Sequence, residues 1–231
     1  MHPVHRISLA AGLLGLAAAA HAQDDTGWYL GIGVGASNFS GDIPAQIGAA
    51  YANNNTYVVQ SARMTDDGDT ASQIFVGYKF LPWLGAELGY QDLGNARSLY
   101  VLKTKGPIIY PTPTLNGNYG LEDVNATLVA SVPLGERFEL LARAGVSATR
   151  LSYDEQGFDI NAQPYAFHAR KRNNTGAIAG IGAAWHFTPH FTLRLDLDRN
   201  FDIGDTFALN VTGNGHFDHV DAYTLNLVWK P

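Results

Sequence analysis

The chain has 231 residues, of which 46% are hydrophobic and 16% charged, and its formal net charge is −6. An acidic chain lacks the basic surface that nucleic acids attract, so we expect no nucleic-acid partner. The chain contains no cysteine, which excludes disulfide bonds. Beyond its N-terminal segment, no stretch reaches the roughly 18 apolar residues that a membrane-spanning helix needs.

Residues 1–22 have the pattern of a secretory signal peptide. A weakly basic start and an apolar stretch are followed by a cleavage site of the small-x-small kind that ends at Ala22. We therefore expect the mature chain to begin after this segment. Because no linker or compositional break divides the rest, residues 23–231 are expected to form one domain.

Eight segments of the remaining chain alternate apolar residues with small or polar ones. In the first segment, Trp28, Leu30 and Ile32 fall on one face, whereas Gly31 and Gly33 fall on the other. A period of two over about 10 residues, repeated about eight times, is typical of a transmembrane β-barrel. The predicted strands, in chain order, are 27–37, 72–81, 83–93, 119–132, 138–151, 174–187, 191–201 and 219–229.

The connections between these strands are of two kinds. Three short turns, at 81–83, 133–137 and 188–190, each follow an even-numbered strand. Four long polar stretches each follow an odd-numbered strand, and they cover 38–71, 94–118, 152–173 and 202–218. This arrangement predicts an eight-stranded antiparallel up-and-down barrel in the outer membrane. The short turns and both termini would be periplasmic, and the long stretches would be extracellular loops.

A soluble barrel with its apolar face inward is the alternative fold, and two observations favour the membrane. The other face of the strands is rich in glycine, which suits a narrow lumen better than a water-facing surface. Aromatic residues also gather near the short turns and the chain termini, as a membrane interface selects. The expected girdle there consists of Trp28, Trp83, Trp185, Trp229, Phe80, Phe138, Phe187 and Phe191. A second belt at the other end is expected from Tyr90, Tyr119, Tyr153 and Phe201.

Several segments resemble the transmembrane domain of the OmpA family. Residues 181–189 resemble its sixth strand and the following turn, 194–197 its seventh strand, 200–206 its last loop and 28–31 its first strand. The resemblance implies the barrel fold and assembly by the barrel-assembly machinery. The family's chain-terminal aromatic corresponds to Trp229, which two residues follow here. We expect no peptidoglycan-binding domain after the last strand.

Three short motifs could indicate sites, but we expect no cofactor and no metal at any of them. Residues 31–36 fit the glycine spacing of a dinucleotide-binding fingerprint, yet a polar stretch follows them instead of a helix. The acidic run 66–69 lacks the alternating ligand spacing of an EF-hand. His216 and His219 are expected to lie in a solvated loop.

Charged residues on the inward face of the predicted strands point to a layer inside the barrel. Glu87, Arg143 and Arg194 fall at similar depth, roughly 10 Å above the short turns. Opposite charges there should pair, because an unpaired buried charge costs several kcal/mol. The expected lumen charge layer comprises Glu87, Arg143, Arg194, Asp196, Lys79 and Glu139. An eight-stranded barrel has room only for side chains, which favours a plug over a gated pore.

The run 168–172 is the only dense basic segment of this acidic chain. It precedes a descending strand, so it is expected at the outer rim with Arg150 nearby. Arginine binds phosphate through paired hydrogen bonds, and lysine adds a point charge. The possible contacts to lipopolysaccharide phosphates are Arg150, Arg170, Lys171 and Arg172.

The function expected from these features is non-enzymatic: a structural and surface-interaction role in the outer membrane. The loops would present the recognition surface to an extracellular ligand that the sequence does not name. The alternatives are a narrow solute or ion pore and, third, a lipid A-modifying enzyme. No serine lies at a spacing from a histidine that would predict a catalytic triad.

Overall fold

The structure, a computed structural model, describes residues 26–52, 56–105, 113–158, 163–168, 172–209 and 213–231. The predicted signal peptide lies outside the described residues. The strands are β1 (Gly27–Ser40), β2 (Tyr57–Asp66), β3 (Gly68–Leu81), β4 (Leu84–Thr104), β5 (Thr114–Leu134), β6 (Phe138–Phe158), β7 (Pro164–His168), β8 (Arg172–His186), β9 (Phe191–Leu209) and β10 (Gly213–Trp229). The helix α1 (Ile43–Ala52) lies between β1 and β2.

Eight of these strands form a closed antiparallel ring. The order around it is β1, β3, β4, β5, β6, β8, β9 and β10, and β10 pairs with β1 from Leu30–Trp229 to Ser40–His219. β2 pairs with the upper part of β4, and β7 pairs with β6. The predicted eight-stranded antiparallel barrel is therefore confirmed.

Tight turns close one end of the barrel, which we call the turn end; the opposite end is the loop end. Between β5 and β6 the turn contains Gly135, whose φ of +79° lies in the left-handed region that favours glycine. Between β3 and β4, Pro82 follows the last residue of the strand, and it has no N–H that a ladder could use. All three short turns lie at the turn end, as predicted.

Apolar side chains cover the outside of the barrel from the turn end to about mid-strand, and we call this surface the apolar belt. On β9, for example, Leu195 and Leu197 face outward and are partly exposed. Four to six outward positions per strand, two residues apart on tilted strands, give a height of roughly 20–25 Å, which matches a membrane core. Its upper edge is marked by the first outward polar residues, Ser72, Asp92, Glu122, Arg150, Arg199 and Asp221.

Most of the described residues in the four long stretches are strand or helix, which corrects the prediction of polar loops. β4 continues to Thr104, β5 starts at Thr114 and β6 continues to Phe158, so the barrel wall extends well beyond the apolar belt. We call this part of the barrel, above the belt, the extension. Apolar and polar residues still alternate along the strands of the extension, but here the apolar residues face inward and the polar residues outward. Leu121 faces inward, for example, whereas Glu122 faces outward.

A bulge in β4 lies where the belt meets the extension. The register with β5 shifts between Asp92 and Asn95, and Gly94 has a φ of +71°. A Cβ on Gly94 would lie 2.7 Å from the Thr70 carbonyl oxygen, so glycine is required here. Below the bulge β4 pairs with β3, and above it β4 pairs with β2.

The helix α1 packs one face onto the core of the extension and leaves the other face exposed. Asp42 caps its first turn by accepting a hydrogen bond from the Ala45 N–H at 3.1 Å. Its buried face packs against β2 and β10, and each buried isoleucine there stabilises the extension by about 1.5–3 kcal/mol. The buried residues of α1 are Ile43, Ile47, Ala50 and Tyr51. Within the described residues, this helix is neither long nor apolar enough to cross a membrane.

Candidate functional site

An ion-pair cluster occupies the barrel interior at the level of the apolar belt. Arg194 on β9 reaches across the lumen to Glu87 on β4, with Nη1 to Oε1 at 2.5 Å and Nη2 to Oε2 at 3.3 Å. Its Nε also donates to Asp196 at 2.9 Å. All three residues are at most 5% exposed, so solvent screens these charges very little.

Arg143 joins the same cluster from β6, which lies midway between β4 and β9 around the ring. Its Nη1 lies 3.6 Å from a carboxylate oxygen of Glu87 and 3.6 Å from one of Asp196. Its Nε lies 3.1 Å from Asp198. The structure therefore brings Glu87, Arg143, Arg194 and Asp196 together, and we call these four with Asp198 the central cluster.

Three members of this environment were not predicted as site residues. Asp198 belongs to a predicted strand and follows the same inward alternation as Arg194 and Asp196, so the sequence contained a signal for it. Tyr29 donates from its hydroxyl to Glu87 Oε1 at 2.9 Å, and Phe75 lies 4.1 Å beneath the Arg194 guanidinium. Nothing in the sequence indicated these two roles, because both depend on which strands meet across the lumen.

Lys79 and Glu139 do not join the central cluster, which divides the predicted layer into two groups. They pair with each other nearer the turn end, with Lys79 Nζ 2.8 Å from Glu139 Oε1. His186 Nε2 lies 3.4 Å from the other oxygen of Glu139. We call these three residues the lower cluster.

Together with Thr192, the lower cluster forms a carboxylate–imidazole–hydroxyl chain that was not predicted from the sequence. His186 Nδ1 lies 2.7 Å from the Thr192 hydroxyl, while Nε2 faces Glu139. The residue types match an acid–histidine–nucleophile series. An oxyanion site needs unengaged N–H donors, but the ladder between β8 and β9 pairs His186 with Thr192. Glu139 is also held by Lys79, so the geometry favours a structural network.

A layer of amides and hydroxyls lies next to the central cluster. Gln73 donates to Thr224 at 2.7 Å and to Asn226 at 2.6 Å, and Gln91 donates to Gln73 at 2.8 Å. Asn226 in turn donates to Asp196 at 3.0 Å, which connects the layer to the charges. Connected polar networks of this kind make a buried interior rigid.

Tyrosines and one carboxylate lie inside the extension. Tyr100 and Tyr153 both donate to Glu155 Oε2, the second at 2.6 Å. The rings of Tyr119 and Tyr153 stack with centroids 4.9 Å apart. Tyr119 and Tyr153 had been predicted for the second aromatic belt, and this is wrong, because both are buried inside the barrel. Tyr90 and Phe201 do face outward.

The buried carboxylate of Glu155 predicts a pH dependence of the extension. Burial raises the pKa of Glu155 from its ordinary value of 4.5 to about 7. The unfolded chain therefore ionises at lower pH than the folded chain, so the extension should lose roughly 2–4 kcal/mol of stability as the pH rises from about 4.5 to about 7. Hydrogen–deuterium exchange of the extension, corrected for the intrinsic rate of each amide, measures this loss.

The variant Glu155→Gln is the control for that experiment. It keeps the shape of the side chain but cannot ionise, so its extension should have the same stability across this pH range. An equal pH dependence in Glu155→Gln and the wild type would assign the effect to other groups.

The remaining predicted residues lie on the outside of the barrel. The eight aromatic residues of the expected girdle are all exposed at the turn end. Arg150 is exposed at the upper edge of the apolar belt. Arg170 and Lys171 lie outside the described residues, and the side chain of Arg172 does too. Within the described residues, no group of three or more His, Cys, Asp or Glu side chains is arranged to hold a metal ion.

The sequence matches the family described as the OmpA-like transmembrane domain over residues 22–231. Outer membrane protein A of Escherichia coli O157:H7 is 26% identical over 206 residues, which cover 88% of this chain and 49% of that protein. Outer membrane protein A of Escherichia fergusonii is 24% identical over 203 residues, which cover 86% and 48%. The chain thus spans about half the length of these curated relatives.

Among solved structures, the outer membrane protein OprG from Pseudomonas aeruginosa is similar, with a TM-score of 0.49 and 13% identity. The comparison covers 89% of this chain and 97% of that one. The family match over 22–231 confirms the resemblance that the sequence segments indicated. The chain belongs to the OmpA-like transmembrane domain family and is a β-barrel of the outer membrane.

Proposed function

We propose that this protein is a non-enzymatic barrel that anchors a rigid recognition surface at the cell exterior. The turn end and both termini face the periplasm, and the extension faces the outside. The observation that carries the proposal is the extension itself. Its strands and α1 enclose a packed apolar core, with Ile43, Tyr100 and Tyr119 each at most 1% exposed.

The dimensions of the strands support this role. β5 and β6 have 21 residues each. At about 3.3 Å per residue and a tilt near 45°, such strands span roughly 50 Å along the barrel axis, about twice the height of the apolar belt. About half of the folded barrel therefore stands above the membrane, where loops and strand ends are available for recognition.

Three successive levels of side chains favour a plug over a pore. The lower cluster, the central cluster and the apolar core of the extension lie one above another along the lumen. Their side chains come from opposite walls, as the contact of Arg194 with Glu87 shows. A solute would have to displace both buried ion pairs and packed apolar groups, so we propose a structural role for the interior.

Removing part of the extension tests the recognition role. Asp92 and Glu122 are paired across β4 and β5, so replacing residues 93–121 with an Asn-Gly turn should shorten both strands and keep the apolar belt. We expect the variant to retain its folded, heat-modifiable band on gels. Whole cells that display it should bind less to a fixed panel of immobilised glycans and extracellular-matrix proteins than cells with the wild type.

The matched control inserts the same Asn-Gly pair into the turn between β5 and β6, at the turn end. It should bind the panel as the wild type does. Panel binding that survives the loss of 93–121, or that falls equally in the control, would contradict a recognition role for this part of the extension.

Two partner proposals accompany this function. The barrel-assembly machinery would insert the chain, with Trp229 as the terminal aromatic signal. Lipopolysaccharide phosphates would be bound by the basic run 168–172 together with Arg150. The first proposal rests on the family resemblance, and the second rests on the charge of the run and on its expected place at the rim.

A further inference from the structure

A concave site interrupts the apolar belt at its upper edge, on the outside of the barrel wall. It lies across β8, β9 and β10, and its volume is about 360 Å³. Ile181, Leu197 and Tyr223 contribute apolar walls, while Arg199 and Asp221 contribute charge. We call it the wall pocket.

Small side chains create the floor of the wall pocket. Ala179 on β8 lies opposite Arg199 on β9 on one side and opposite Ala144 on β6 on the other. The larger Ile181 and Phe201 flank this point and are 61% and 38% exposed. Ala179 and Ala144 therefore form a shallow apolar channel that continues from the pocket onto β6.

The charged pair gives the wall pocket its chemistry. Arg199 Nε and Nη2 donate to the two oxygens of Asp221 at 2.6 and 2.7 Å, so the guanidinium is held in one orientation. Two of its five N–H groups are used in this way, and the other three have no partner among the described residues. The Arg199 side chain is 46% exposed.

The position of this pair relative to the membrane identifies its neighbour. On β9 and β10 every outward residue from the turn end up to Leu197 and Tyr223 is apolar or aromatic, and Arg199 and Asp221 are the first charges above them. This is the depth at which acyl chains meet headgroups in the leaflet next to the extension. His219 adds a second basic group, with Nε2 3.8 Å from Asp221.

We propose that the wall pocket binds a phosphorylated, acylated lipid of the outer leaflet, of the lipid A class. The outward N–H groups of Arg199 donate to the lipid phosphate, and Asp221 holds the guanidinium toward it. One acyl chain lies on the channel floored by Ala179. This site is separate from the basic run 168–172, because its residues lie on β8, β9 and β10 below the rim.

Native mass spectrometry of the detergent-solubilised protein tests the proposal. The probes are bisphosphorylated lipid A, the same lipid without its phosphates, and sodium phosphate. The change Arg199→Gln should weaken binding of bisphosphorylated lipid A about tenfold or more, as expected for loss of hydrogen bonds from a charged donor. It should leave binding of the dephosphorylated lipid unchanged. Ala179→Leu fills the floor and should weaken binding of both lipids.

Two controls make the outcomes decisive. Arg63→Gln removes an exposed arginine of the extension and should bind lipid A as the wild type does. Heat-modifiable migration shows that each variant is folded, which is expected because Arg199 and Ala179 face outward. Wild-type affinity in folded Arg199→Gln and Ala179→Leu would overturn the proposal. It would also be overturned if sodium phosphate bound as tightly as the lipid, or if only the triple change of Arg170, Lys171 and Arg172 to Gln reduced binding.

Discussion

Replacing Glu87 with alanine is expected to lower the free energy of unfolding by roughly 3–5 kcal/mol. Glu87 accepts two contacts from Arg194, faces Arg143 at 3.6 Å and accepts a hydrogen bond from Tyr29. Its removal leaves buried guanidinium groups without their shared carboxylate. Urea unfolding in lipid vesicles, followed by the gel shift between folded and unfolded forms, measures the loss.

A double change separates the cost of leaving the Arg194 cation unpaired from the cost of the lost contacts of Glu87. Glu87→Ala with Arg194→Met should cost less than Glu87→Ala alone, because the double variant removes the cation as well. Glu136→Ala, in the exposed turn between β5 and β6, is the matched carboxylate control and should be nearly neutral. Equal and additive losses from the two single changes would show that the cluster is not coupled.

The same variants distinguish a plug from a pore. In planar bilayers the wild type is expected to pass no current above the baseline, because the central cluster and the core of the extension block the lumen in series. Regular open-channel steps in the wild type would contradict a plug. Glu87→Ala should raise the current only slightly, because the core around α1 remains intact.

The belt could be predicted from the sequence because all of its strands have the same surroundings. Where lipid lies outside and a narrow lumen inside, the apolar residues of every strand fall on a single face, as with Trp28 and Leu30 on β1. Each of the eight ring strands contains one segment of this kind, so counting the segments gave the strand number. The short turns gave the direction of each strand.

The extension could not be predicted from the alternation found in the belt, because its polar and apolar surroundings are reversed. Water lies outside it and a protein core inside, so apolar residues turn inward above the belt, as Leu121 and Tyr153 do. The strands therefore seemed to end where the alternation changed its sense. In β4 the bulge at Gly94 also changes which residues face inward, since Gln91 below it and Tyr100 above it are both buried.

The charged residues of the central cluster could be predicted from the sequence, but the pairing within the layer and the role of Tyr29 could not. Depth above the turns grouped Glu87, Arg143 and Arg194, because each strand rises by a nearly constant step. The predicted depth of Lys79 and Glu139 differed too little from that of the central cluster to show that they form a separate pair. The contribution of Tyr29 depends on the curvature of the closed ring, which alternation does not encode.

The change Ile47→Asp in α1 is expected to open the extension and leave the belt folded. Ile47 is 1% exposed within the apolar core, where an unpaired carboxylate costs several kcal/mol. Detachment of α1 is less costly than burying that charge, and the belt shares few contacts with the helix. Proteolysis of the extension on whole cells should become faster by roughly 100-fold, which corresponds to about 3 kcal/mol of local stability.

The exposed Ala49 on the same helix provides the matched control. Ala49→Asp adds the same charge two residues away, on the face of α1 that water reaches, so its extension should resist the protease as the wild type does. The heat-modifiable band should persist in both variants, because the ladders of the belt do not involve α1.

Loss of that band in Ile47→Asp would show that belt and extension unfold as one unit. If both variants were cleaved at the wild-type rate, the packing of α1 would contribute nothing measurable to the extension. The expected result, an open extension on an intact belt, would show that the chain contains two cores with opposite solvent patterns and that the upper one can be lost separately.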